Sequence, residues 1–208
     1  MRTNQLTDIR LMNADVYRLI AKCFDYPDKE RLFNIREMAA GLHSAGYPDE
    51  SINNMLQSLA EAANEDEVLY AFTNIFLKGG VALSETHLLQ KYNCVSDANA
   101  FYKAFGFTPK TGENPDSIMY QLEFLALLMV KCAIAPNEES RSVTQEAYRK
   151  FLEEHAGEFA LALAKRLREG DAGPFFLTVS YLLEEFITNE LTSNHTDLPC
   201  EMGIEDDV

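Results

Sequence analysis

The stretch from Glu113 to Ala135 constrains this chain more than any other. It opens with a helix-start pattern. Asn114 can cap, Pro115 suits a first turn, and Asp116 is favoured at the positive end of a helix dipole. About twenty residues follow without Gly or Pro, rich in Leu, Met, Ala, Phe and Ile, and only Tyr120, Gln121, Glu123 and Lys131 break the apolar surface. A helix apolar nearly all round is buried in the centre of a bundle. Glu123 and Lys131 lie inside the run and make it a poor membrane span.

At 100° per residue, Asp116, Tyr120, Glu123 and Leu127 fall on one stripe of this helix. Two readings stay open. In one, Asp116 is a first-turn acid and Glu123 sits at the bundle rim. In the other, two carboxylates and a phenol above an apolar lower half form a pocket floor for a cationic, partly apolar ligand.

The 208 residues suffice for one domain with a sizeable core. A net charge of −15 repels phosphate backbones, so nucleic acid is excluded as a partner and cationic partners are favoured. The first residues lack the continuous apolar run of a signal peptide, which predicts a cytoplasmic protein without membrane insertion. Cys23, Cys94, Cys132 and Cys200 show no C-x-x-C spacing and no histidine at ligand spacing, so neither a zinc site nor a disulfide framework is expected. Cys23 and Cys132 sit on apolar helix patterns as core thiols.

Helical periodicity recurs along the chain. Residues 6–25 read as a first helix. Asp28 caps a second to about Ser44, Pro48-Asp49 starts a third, and Asn64 opens a fourth through about Leu77, stopped by Gly79-Gly80. Residues 79–95 read as an irregular connection holding Ser84-Glu85-Thr86-His87, and Phe101 to Phe107 as a short helix. After the central helix, Val143 to Ala156, Phe159 to Leu167 and Phe175 to Asn194 complete the set. The prediction is an all-α, single-domain bundle of roughly nine helices over 1–194, with an acidic tail over 195–208 that includes Cys200.

The order of residues in the central stretch resembles the signature of the TorD/DmsD family of redox-enzyme maturation chaperones. That signature runs Glu, two residues including Pro, Asp, His, an aliphatic, two residues, Glu, Leu or Phe, any residue, Phe, then Leu or Met. Glu113, Pro115, Asp116, Ile118, Leu122, Phe124 and Leu125 stand in those places. Ser117 replaces the usual His and Gln121 the usual second Glu. Glu85-Thr86 takes the place of a family Glu-Ser pair, Phe101 to Gly106 that of a short aromatic helix ending in Gly, and His155 with Phe159 a His–aromatic spacing. The likeness covers about residues 67–190. It implies a helical cytoplasmic chaperone, without chemistry of its own, for a molybdenum-cofactor oxidoreductase awaiting export.

No nucleophile–base set, H-E-x-x-H, G-x-S-x-G or phosphate-loop motif occurs, so no catalytic residue, metal or cofactor is assigned. A twin-arginine leader, two arginines followed by an apolar run, is the ligand the resemblance implies. Asp116, Glu123 and Glu85 are the candidate carboxylates for its guanidinium groups, Tyr120 can stack on one, and Leu127 can meet the apolar run. Glu113, Ser117 and His155 complete the candidate peptide-binding set. His155 has a second reading as a cation favoured at a helix C-terminus. The partner is the leader, the apo body of the oxidoreductase, or both, with the chaperone a monomer or dimer. The nearer alternative is a nitrate-reductase-type assembly chaperone serving a non-exported subunit. The more distant one is a helical enzyme with an acidic site.

Overall fold

A computed structural model of the chain describes residues 2–61 and 64–196. The tail beyond 196, with Cys200, lies outside the described residues. The fold is all-α: α1 (Arg2–Cys23), α2 (Lys29–Ser44), α3 (Glu50–Ala60), α4 (Glu65–Phe72), α5 (Glu85–Leu89), α6 (Cys94–Phe105), α7 (Ile118–Ala133), α8 (Glu138–Phe151), α9 (Gly157–Glu169) and α10 (Gly173–Thr196). Two π-helical segments, Thr73–Lys78 and Leu152–Ala156, extend α4 and join α8 to α9.

Side-chain caps account for half of the helix starts among the described residues. Asp28, Asp49, Asn64 and Asn137 each accept a backbone N–H from the first turn of α2, α3, α4 and α8. The Asn137 cap starts α8 five residues before the expected Val143. The break expected between Ala156 and Phe159 is absent, because the backbone passes through Gly157 as a π-bulge into α9. A Cβ there would stand 2.7 Å from the Leu152 carbonyl oxygen and 3.4 Å from the Leu191 methyl groups, so only glycine fits. Residues 79–95, read as irregular, contain the single turn of α5.

The centre of the bundle is α7, as its composition predicts. Leu122, Phe124, Leu125, Ala126 and Leu128 are fully buried. It packs lengthwise on α1 and against α8, while α10 packs on α9 and α3. The start of α7 meets the end of α1, and its end meets the start of α1, so the two run antiparallel. Around Phe124 an aromatic cluster of Tyr102, Phe105, Phe107 and Phe151 closes the contact between α6, α7 and α8. Cys23, Cys94 and Cys132 are buried free thiols, and desolvation pushes all three up from the ordinary thiol value.

At the far end of the α1–α7 pair lies a buried polar knot. Asn13 Nδ2 donates to Glu190 Oε1 at 2.6 Å, Tyr148 donates to Glu190 Oε2, and Tyr47 donates to Asn13 at 2.8 Å. Tyr17 and Tyr148 share a hydroxyl contact at 2.7 Å. Burial raises Glu190 above the usual carboxylate value, against the lowering effect of the bonds from Tyr148 and Asn13. No helix among the described residues is long and apolar enough to cross a membrane.

Candidate functional site

The signature stretch builds two different things, one closed and one open. The division begins at the start of α7. Ser117, not Asn114, is its N-cap and accepts the Tyr120 N–H, so the helix begins at Ile118. Asp116 therefore precedes the helix and does not share its stripe with Tyr120, Glu123 and Leu127. The reason is a pairing with the 79–95 segment. Ser84 and Ser117 form an isolated antiparallel bridge, in which Glu85 N–H donates to the Asp116 carbonyl and Ile118 N–H to the Leu83 carbonyl, both at 3.0 Å. That pairing holds Ser117 extended, directly after a turn in which its N–H donates to the Asn114 carbonyl at 3.2 Å.

Within this closed part the side chain of Asp116 is fully buried. It accepts the Ser84 hydroxyl, 3.0 Å from each carboxylate oxygen, and the Thr86 N–H at 2.9 Å. His87 Nδ1 lies 3.0 Å from Ser84 Oγ, and Tyr102 donates to the Pro115 carbonyl at 2.9 Å. One turn on, the fully buried Glu85 accepts Gln121 Nε2 at 2.6 Å and His155 Nδ1 at 3.2 Å, both on Oε2. The His155 ring packs on Phe151 and Phe101. Glu85 Oε1 and Gln121 Oε1 are buried and meet no donor among the described residues. Asp116, Ser117, Glu85 and His155 thus come together in one polar latch. It ties α5, the start of α7 and the π-bulge after α8 to one another, with its carboxylates turned inward.

The open part is a groove of about 320 Å³ between the end of α1, the 106–113 loop and the first two turns of α7. Ala21, Phe107 and Met119 give it an apolar floor, and Asp25, Glu113, Glu123, Lys22 and Lys110 ring it. Tyr120 lies across one wall. Its hydroxyl donates to Glu113 and accepts the Lys110 N–H at 3.2 Å, which straps the loop to α7. Desolvation first, then the bond to Glu113, raises the Tyr120 hydroxyl above the ordinary phenol value. Asp25 is paired with Arg31 of α2, Nε to Oδ2 at 2.9 Å. Glu123 is half-buried and makes no hydrogen bond or ion pair to any described residue. Leu127 is half-buried one turn further along α7 and packs against the core.

Of the eight residues singled out from sequence, Glu113, Tyr120 and Glu123 line this groove, and Asp116, Ser117, Glu85 and His155 form the latch. Among the described residues no group of three or more His, Cys, Asp or Glu is placed to hold a metal ion. The model of the family described as nitrate reductase delta subunit matches residues 44–165, more than half of the chain. The chain belongs to the nitrate reductase delta subunit family. Membership makes it a maturation chaperone of the molybdoenzyme kind and not a catalyst. The expected kinship with redox-enzyme maturation chaperones therefore holds.

Among solved structures, this member of the nitrate reductase delta subunit family is similar to an Archaeoglobus fulgidus protein described as a candidate redox enzyme maturation protein. The TM-score is 0.56 at 17% identity, over 84% of this chain and 93% of that one. At that identity the likeness is one of fold. No curated protein matches the chain.

Sequence reasoning missed Asp25, Lys22 and Lys110 in the groove. Lys22 and Asp25 are three apart near the end of α1, a spacing that puts them on one face, but only the antiparallel packing of α1 on α7 shows what that face meets. Gln121, taken as a lost acid, is the donor that holds Glu85. Its place one turn after the cap was legible, and its partner, 36 positions back, was not.

Proposed function

We propose that this chain is a cytoplasmic chaperone that holds a molybdenum-cofactor oxidoreductase subunit while its cofactor is inserted. In this reading it grips a segment of that subunit in which a basic residue precedes an apolar run. The observation that carries the reading is Glu123, a half-buried carboxylate without a partner among the described residues, standing over an apolar floor. A carboxylate so placed favours a guest cation, and a charge-assisted bond there is about twice as strong as a neutral one. The chain's net charge of −15 adds long-range attraction for a basic segment. Met119 and Phe107 offer apolar surface beside it.

Two clients present such a segment, a twin-arginine leader and the N-terminal stretch of a non-exported subunit. Membership in the nitrate reductase delta subunit family supports a nitrate reductase as the kind of client, and so the second. Calorimetric titration of both peptides into the wild type and into Glu123→Gln tests the proposal. A basic-then-apolar peptide is expected to bind the variant about tenfold more weakly, the loss of one charge-assisted contact of about 1.4 kcal/mol. Equal binding by the two proteins would remove Glu123, and this groove, from the reading.

A further inference from the structure

We infer that this groove reads one basic side chain and not two, with Glu123 as the residue that selects it. The inference rests on the basic-segment reading above and narrows the guest to a segment with a single required cation.

Two of the groove's carboxylates are already engaged within the protein. Three carboxylates border the groove, those of Asp25, Glu113 and Glu123. Asp25 holds the guanidinium of Arg31, which also reaches Asp28 Oδ2 at 3.2 Å and donates to the Tyr26 carbonyl at 2.6 Å. Three acceptors on the turn between α1 and α2 thus hold that arginine beside Asp25. Glu113 is turned to the Tyr120 hydroxyl, which is itself held by the Lys110 N–H. Glu123 alone of the three has no partner among the described residues.

The ammonium groups of Lys22 and Lys110 also border the groove. One guest cation on Glu123 leaves their long stems free to turn to water. A second guest cation would be set beside them, where Asp25 is paired with Arg31 and Glu113 is already turned to the Tyr120 hydroxyl, and like charges at that range repel.

The test uses the full chain and four labelled peptides: two adjacent arginines before an apolar run of Leu and Ala, and versions with the first, the second or both arginines replaced by glutamine. Fluorescence anisotropy is expected to show single replacements weakening binding less than threefold and the double replacement at least tenfold. In Glu123→Gln the gap between the two-arginine and no-arginine peptides is expected to close. In Arg31→Gln, where Asp25 is released, the second arginine is expected to add at least threefold. If each single replacement costs tenfold or more in the wild type, or if Arg31→Gln gains nothing, the single-cation inference is overturned while the basic-segment reading stands. If the peptide without arginine binds the wild type as well as the one with two, the basic-segment reading itself falls.

Discussion

The latch and the groove both draw on the stretch from Glu113 to Glu123, yet they treat carboxylates in opposite ways. In the latch, Asp116 and Glu85 are fully buried and collect donors from Ser84, Thr86, Gln121 and His155. In the groove, Glu123 keeps part of its surface in water and collects none. The lesson is that an acid in a binding-family signature need not touch the ligand. A buried carboxylate is tolerable only where several hydrogen bonds offset its desolvation, and a group so committed has little left for a guest. Asp116 acts by holding the 79–95 segment and the start of α7 in register, which sets where Tyr120 and Glu123 point.

The largest expected effect separates the two regions directly. Asp116→Ala removes the carboxylate that accepts the Ser84 hydroxyl and the Thr86 N–H, at about 1–3 kcal/mol each. Urea unfolding should show a loss of about 2–5 kcal/mol. A variant within 0.5 kcal/mol of the wild type that nonetheless lost peptide binding would make Asp116 a contact residue and end the distinction. Glu123→Gln should do the reverse, with binding about tenfold weaker and an unfolding midpoint unmoved, since no bond within the described protein is lost.

The knot at the far end of α1 supplies a control, a buried acid with no groove role. Burial raises Glu190 in the folded state above its unfolded value near 4.5. Between those two values the native state binds more protons, so stability from this group is fully present below about pH 4.5 and is lost as pH rises through the folded value. The slope is at most about 1.4 kcal/mol per pH unit for one proton. Unfolding midpoints of the wild type and Glu190→Gln measured from pH 4 to 7 should diverge with that sign, and parallel curves would refute it. The smallest effect is expected from Tyr120→Phe. Loss of the strap to Glu113 and Lys110 should cost about 0.5–1 kcal/mol and loosen the 106–113 loop, seen as faster amide exchange at Lys110.

Much of the fold was legible in the sequence because helices declare themselves locally. The 3.6-residue apolar period and the caps Asp28, Asp49 and Asn64 act over one turn, and the structure places α2, α3 and α4 at those starts. The burial of α7 followed from its composition. Errors came where a distant segment overrode the local signal. Asn114-Pro115-Asp116 has every mark of a helix start, but it closes a single turn, and pairing with Leu83 to Glu85 holds Ser117 extended and hands it the cap. Gly157 marks a helix end in sequence, but packing on Leu191 carries the chain through it as a bulge.

By itself the sequence determined the helical class, the buried central rod, the excess of negative charge and the residue types that could meet a cation. Each of those depends on composition or on neighbours within a turn. Only the tertiary structure decided which carboxylates are bonded internally and which, among the described residues, has no partner. Ser84 meets Asp116 across 32 positions, Gln121 meets Glu85 across 36 and His155 meets Glu85 across 70. Contacts at such separations are set by the packing of whole helices, and no periodicity in the chain encodes them.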